Sequence, residues 1–262
     1  MNVFTRLGIS TRVGILAAIL ITITAATLSA ISYVSTSGQL ISNALDELDN
    51  ATDVVAAQLV SSMDEHTDDV AFLSHEGIAV DYMAALSGTL PEEDMRSVRF
   101  IREQLENDFT EFIRAKGGIF QIRLIGTRGA LAGDELVRVD LIDGEPTVIA
   151  QDALQNKGDT AYYQDTLNLP DRTIRYSEIT LNRENGVISE PVTPTLRVSA
   201  PVYNQQGNQA AMIVINVDME EEFDEMRDAL GGRADRFSIF LVNDRGDYLV
   251  NSTDPSREFS FE

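Results

Sequence analysis

Between Arg12 and Asp46 the chain carries no charged residue, and Val13 to Val34 consists mostly of Ile, Leu, Val, Ala and Thr. A helix of about 20 such residues crosses the hydrocarbon core of a bilayer. Arg6 and Arg12 precede the stretch, while Asp46, Glu47, Asp49 and Asp53 follow it. That asymmetry predicts a cytoplasmic N-terminus over residues 1–12, a transmembrane helix over 13–35, and everything after it outside. A cleaved leader is the alternative, with small residues at Ser29 and Ala30. Its apolar core is normally only about 7–15 residues long, so the uncleaved anchor is the preferred reading.

Every one of the 42 acidic residues lies beyond this stretch, together with all but two of the 20 basic ones. So acidic a surface repels nucleic acid and anionic lipid, and no nucleic-acid partner is expected. The absence of cysteine removes disulfides, thiolate zinc sites and thiol catalysis. His66 and His75 are the only histidines. Glu65-His66-Thr67-Asp68-Asp69 is rich in metal-ligand types, but consecutive residues of a helix diverge around its axis, so a solvated face is expected there and no metal or other cofactor.

Three patterns organise the rest. From Ile41 to about His75, apolar residues recur at helical spacing (Leu45, Leu48, Val55, Leu59, Met63), which predicts a long stalk helix. After a break over Gly77 to Pro91, Thr89-Leu90-Pro91-Glu92 has the form of a capping box. A helix with the stripe Met95, Val98, Ile101, Leu105, Phe109 and Phe112 is expected to follow, ending at Gly117-Gly118. Beyond Gly118 the period falls to two. Strands are predicted over Ile119–Ile125, Leu136–Ile142, Thr147–Ala150, Ile174–Leu181, Leu196–Tyr203 and Ala210–Val217, with turn signals at Thr127-Arg128-Gly129, Asp143-Gly144 and Asn185-Gly186. One helix is predicted among them, about Asp152 to Leu167. Short turns between strands imply an antiparallel sheet with flanking helices, an α+β architecture. A short helix over Glu220–Leu230, closed by Gly231-Gly232, then precedes strands at Phe237–Val242 and Tyr248–Val250. Two strands do not bury a core alone, so the chain is expected to be a piece of a longer one.

Motifs for nucleophilic, phosphate, metalloprotease or dinucleotide chemistry are absent. The informative cluster is Lys157, Tyr162 and Tyr163, then Tyr176 and Ser177 on the next strand, Arg197 on the long hairpin and Asp218 at its end. Tyrosine rings wall organic ligands, and Lys or Arg pairs with a carboxylate. The same spacing also fits amphipathic core tyrosines beneath surface charges.

The stretch from about Phe109 to Glu262 resembles the double Cache family of extracytoplasmic sensors, whose two PAS-like lobes serve bacterial histidine kinases, diguanylate cyclases and chemoreceptors. The resemblance rests on Gln121-Ile122-Arg123-Leu124-Ile125, Leu154-Gln155-x-Lys157 with Tyr162-Tyr163, Tyr176-Ser177, the run from Pro194-x-Leu196-Arg197 to Pro201-Val202, Gly207, Asn216-x-Asp218, and Asp244-Arg245-Gly246 before Asp254-Pro255. It implies a stalk and linker over 36–88, a membrane-distal lobe over 89–222, and the start of a membrane-proximal lobe over 223–262. It further implies an inner-membrane receptor, a histidine kinase above all, with its sensing part periplasmic. Such receptors work as homodimers, and the Ile41–Met63 stripe is then either a subunit contact or packing against the chain's own sheet. The implied ligand site is Lys157, Tyr162, Tyr163, Tyr176, Ser177, Arg197 and Asp218. Amino-acid-binding members carry an Arg two residues before a Trp-Tyr pair, whereas Thr160 stands there in this chain. A small organic acid therefore fits Lys157 and Arg197 as well as an amino acid does. A module binding a periplasmic protein and an anchored hydrolase are the other classes, and no facing carboxylate pair marks the last.

Overall fold

The computed structural model describes residues 8–75, 77–89, 97–228 and 238–262. Leu90 to Glu92 of the expected capping box, Met95 and the Gly231-Gly232 stop lie outside them. The chain divides into two compact units, Met1–Ala56 and Ala57–Glu262.

The first unit holds most of a helix, α1 (Ile9–His75). Val13, Leu16, Leu20, Leu28 and Ile31 are all exposed, and the apolar part of α1 is long and apolar enough to cross a membrane. Threonines tolerate this setting because their hydroxyls return to the carbonyl one turn back, as Thr22 does to Ala18 (2.9 Å) and Thr24 to Leu20 (2.8 Å).

In the second unit, the last turns of α1 bury Val70 and Leu73 and stack Phe72 on Phe112. α2 (Gly77–Ser87) follows, so the break expected from Gly77 is a helix over most of its length. It ends at Gly88, whose φ of +69° favours glycine. α3 (Val98–Ala115) starts at Ser97, whose hydroxyl accepts the Phe100 N–H at 3.2 Å. Its buried stripe is Ile101, Leu105, Phe109 and Ile113, as the 3.6-residue period requires.

Gly118 turns the chain into β1 (Ile119–Gly126), followed by β2 (Glu135–Ile142) and β3 (Glu145–Val148). The helix expected over Asp152–Leu167 is two short pieces, a 3-10 turn at Gln151–Ala153 and α4 (Ala161–Thr166). Between them, backbone pairing of Asp134 with Asn156 and the Lys157 N–H on the Gly133 carbonyl (2.7 Å) hold the chain extended. Gly133 has a φ of +85°, and a Cβ there would lie 2.8 Å from Gly158 Cα, so this approach admits no side chain.

Next come β4 (Arg175–Tyr176), β5 (Thr180–Leu181), β6 (Arg183–Glu184), β7 (Val187–Ile188), β8 (Pro194–Tyr203) and β9 (Gln209–Asp218). The strand predicted over Ile174–Leu181 is thus two two-residue pieces. The main sheet runs β3-β2-β1-β9-β8-β4, with β5 also on β8, and the described pairs are antiparallel. The last strand returns to the centre beside the first. β6 and β7 form a separate hairpin turned by Asn185 (φ 52°) and Gly186 (φ 80°), the left-handed pair a two-residue loop needs. α5 (Glu220–Asp228) follows, and β10 (Phe240–Val242) pairs with β11 (Tyr248–Asn251). The architecture is α+β, as the alternating periods imply.

Candidate ligand site

Register sets which side chains meet. Gln121 lies opposite Asp140 and Asn216, Arg123 opposite Arg138 and Val214, and Arg197 opposite Asn216. These positions share one face of the sheet, and α4 covers part of it through Tyr162, Tyr163 and Thr166, with Thr166 and Ser199 joined by their hydroxyls at 2.7 Å.

The face is buried and charged. Arg123, 1 % exposed, sets Nε 2.9 Å from Glu135 Oε1 and donates from Nη2 to Glu184 Oε1 at 2.8 Å. The first of these is an attraction of charges without hydrogen-bond alignment. Arg138 grips Asp140 with two nitrogens (2.8 and 2.6 Å) and Glu184 with a third (2.9 Å). Lys157 Nζ donates to Gln155 Oε1 at 2.8 Å and Glu184 Oε2 at 3.3 Å. Burial pulls its pKa down, reinforced by Arg123.

Arg197 is the odd member. It donates to Thr180 Oγ1 at 2.8 Å and its guanidinium lies 5.6 Å from the Tyr162 ring centroid, in cation–π contact. Among the described residues it forms no salt bridge. Burial, followed by repulsion from Arg123, draws its pKa down to about 10. The cluster therefore places the cations Arg123, Arg138, Lys157 and Arg197 against the carboxylates Glu135, Asp140 and Glu184, with Glu262 also attracting Arg197 from beside it. Burial alone would push the Glu184 carboxyl up, but Arg123, Arg138 and Lys157 outweigh it and hold it at about 2.

Of the residues expected from sequence, Lys157, Tyr162 and Arg197 meet here, with the Tyr162 hydroxyl accepting from Arg123 at 3.4 Å. Tyr163 is adjacent but belongs to the apolar patch of Ile125, Met212 and Val214, and its hydroxyl donates to the Gly126 carbonyl at 3.2 Å. The other three do not join the cluster. Tyr176 pairs with Val198, whose side chain points to the opposite face, so its hydroxyl meets the Met63 carbonyl (3.0 Å) and Thr67 on α1. Ser177 accepts the Arg197 backbone N–H at 3.0 Å and positions β8. Asp218 accepts the Glu220 N–H at 2.9 Å at the start of α5, and burial raises its pKa. Conversely, Glu135, Arg138 and Glu184 are not singled out from sequence, and Gln155 enters there only as part of the family pattern. The available signal is the pair Gln121 and Arg123, alternating on an otherwise apolar strand.

A hollow of about 330 Å³ borders the cluster, sharing Glu135 and Gln155 with it and lined further by Tyr82, Leu136 and Leu154. A second, of about 210 Å³, lies between α2 and the Asn204–Gln206 turn. Among the described residues, no group of His, Asp or Glu is placed to hold a metal ion.

The fold has known counterparts. It is similar to a domain of a protein described as sensory box/GGDEF from Vibrio parahaemolyticus, at 22 % identity and TM-score 0.63 over 80 % of this chain and 71 % of that one. The extracellular domain described as that of the histidine kinase vpHK1S-Z8 gives 22 % and 0.62, over 80 % and 68 %. The ligand-binding domain of a Campylobacter jejuni chemoreceptor, solved with L-valine, gives 14 % and 0.51, over 82 % and 76 %. No curated protein matches the sequence. The family model for the bacterial histidine kinase sensor domain matches residues 70–261, well over half the chain, so the protein belongs to that family.

Proposed function

We propose that this sensor domain is the periplasmic, ligand-sensing part of a membrane-anchored histidine kinase, and that its ligand is a small molecule bearing a carboxylate, an organic acid or an amino acid. The observation that carries the reading is Arg197, buried against Tyr162 with the Thr180 hydroxyl as its hydrogen-bond partner and, among the described residues, no salt bridge. A buried charge is retained at a cost of several kcal/mol, roughly, unless something pairs with it. A ligand carboxylate is such a partner, with Lys157, Tyr162, Tyr163 and Arg197 around it and Tyr176, Ser177 and Asp218 holding the surrounding strands. The chemoreceptor neighbours solved with L-valine and isoleucine support an amino-acid class. The apolar reach of α1 supports the anchor, and its exposed Leu45, below the second unit in sequence, supports a second copy of the chain as partner along residues 41–63.

The test is a thermal-shift panel of amino acids and organic acids on the detergent-solubilised chain, with Arg197→Ala beside it. Saturable stabilisation that Arg197→Ala abolishes is expected. A panel with no response, or a response untouched by Arg197→Ala, removes the reading.

A further inference from the structure

The carboxylate of Glu184 receives what a bound ligand's carboxylate would receive. Its Oε1 accepts from Arg123 (2.8 Å) and Gln121 (3.2 Å), and its Oε2 from Arg138 (2.9 Å), Gln155 (2.6 Å) and Lys157 (3.3 Å). Five donors from β1, β2 and the segment before α4 thus converge on one group supplied by a hairpin that is no part of the sheet.

That hairpin is built to present the group and is weakly held otherwise. Its strands are two residues each, and Glu184 faces Val187, which is 65 % exposed, so little hydrocarbon is buried by keeping it in place. Its base is firm: Asn182 donates its backbone N–H to Thr193 (2.9 Å), accepts the Ser189 N–H (2.9 Å) and donates Nδ2 to Ser189 Oγ (3.0 Å). Beyond the base, the charged contacts of Glu184, one N–H from Asn185 to Gln155 Oε1 (3.0 Å), and Arg183 on Glu262 (2.9 Å) hold it.

Resting on the receptor reading above, we propose that Glu184 is a tethered competitor: its carboxylate fills part of the ligand-carboxylate position by taking Lys157, and a ligand carboxylate that enters by displacing the β6–β7 hairpin pairs with Lys157 and Arg197. The exchange conserves charge. With Glu184 gone, Arg123, Arg138, Lys157 and Arg197 lose one of the carboxylates that offset them, and one monocarboxylate restores the original balance. A neutral ligand offers no such compensation and leaves the hairpin seated, so Glu184 selects for a carboxylate. Arg183, its neighbour, is carried along and gives up Glu262, which passes the displacement to the segment that packs on β11 through Phe259 N–H and the Tyr248 carbonyl (2.9 Å).

The probe is ¹³C-labelled acetate, the smallest monocarboxylate, titrated by NMR into the full chain, into Glu184→Ala and into Glu184→Gln, with chloride holding ionic strength and acetamide as the neutral control. Glu184→Ala should bind acetate saturably and at least tenfold more tightly than the unaltered chain, with no response to acetamide. Glu184→Gln keeps the side chain's size and one acceptor oxygen, and decides the matter if the alanine variant fails to fold; it too should bind acetate more tightly. Acetate bound no better by either variant than by the unaltered chain overturns the proposal, whatever other acids that chain binds. Tight acetate binding by the variants with no ligand found for the unaltered chain supports the competitor and unseats the receptor reading alone.

Discussion

Along β1, Ile122 and Leu124 point to one side of the sheet, and Gln121 and Arg123 to the other. The same parity continues through Val137 and Val139 against Arg138 and Asp140 on β2, and through Ile213 and Ile215 against Asn216 on β9. Both faces are buried, yet they are chemically different interiors. On the first, each side chain leaving water stabilises the fold by roughly 1.5–3 kcal/mol, with no demand on direction. On the second, every ion loses hydration worth several kcal/mol, roughly, and recovers it only where partners are aligned. A chain selected for stability alone would fill both faces with hydrocarbon. The contrast is what supports placing the proposed ligand site on the charged face.

The largest expected effect tests that contrast directly. Arg123→Met takes from Glu135, which is 4 % exposed, the nearer of its two cations and removes a donor from Glu184, so it should cost about 3–5 kcal/mol in urea denaturation at pH 7. Leu124→Ala, one residue away on the hydrocarbon face and 0 % exposed, should cost about 2–5 kcal/mol through the cavity it leaves. What separates the two is pH. The Leu124→Ala penalty should be the same at pH 7 and pH 3, while that of Arg123→Met should shrink as Glu184, deprived of one of the cations that hold its pKa down, takes up a proton. Equal pH behaviour would mean the faces do not differ in the way described.

A smaller effect belongs to Glu184 itself. Its folded pKa of about 2 lies below the ordinary 4.5, so its contribution is complete above pH 4.5 and is lost as pH falls toward 2. Partial exposure reduces the size to about 2 kcal/mol, taking one pKa unit as 1.36 kcal/mol and discounting for solvent screening. Unfolding monitored from pH 5 to pH 2 should show that loss, and Glu184→Gln should flatten it.

How far each face could be read from the sequence follows from what made it. The hydrocarbon face was legible because period-two alternation over eight to ten residues is a local signal, and β1, β2, β8 and β9 fall within one or two residues of expectation. The 3.6-residue period made Ile101, Leu105 and Phe109 of α3 legible in the same local way, whereas Val98 is exposed and Ile113 is buried where Phe112 is expected. The charged face was not, because its members are joined by contacts that no local pattern encodes: Glu184 is 61 positions from Arg123 and 46 from Arg138. Lys157, Tyr162 and Arg197 stood out as a cluster of aromatic and charged residues that the resemblance assigned to a site, and Tyr176 falls outside the charged cluster because the register of a two-residue strand decides its face. Asn185-Gly186 was readable as a turn, but strands two residues long gave no hint that it aims a carboxylate.

The smallest effect compares two turns. Gly186 and Gly207 both have left-handed φ (80° and 73°), and at both an added Cβ meets nothing within 4 Å. Alanine at either should therefore cost the same roughly 1–2 kcal/mol of backbone strain and no more. The consequences diverge because of what each hairpin carries. Gly207 closes β8 and β9, whose ladder runs from Thr195–Asp218 to Tyr203–Gln209, so the strain is absorbed by a long register and the charged face stays as it was. Gly186 closes a hairpin with two pairs, Arg183–Ile188 and Glu184–Val187, so the same strain weakens the hold of Glu184 on its donors. Gly186→Ala should then bind acetate a few-fold more tightly than the unaltered chain, and Gly207→Ala should not. Equal behaviour of the two variants would show that the short hairpin is fixed by something other than the charges it delivers.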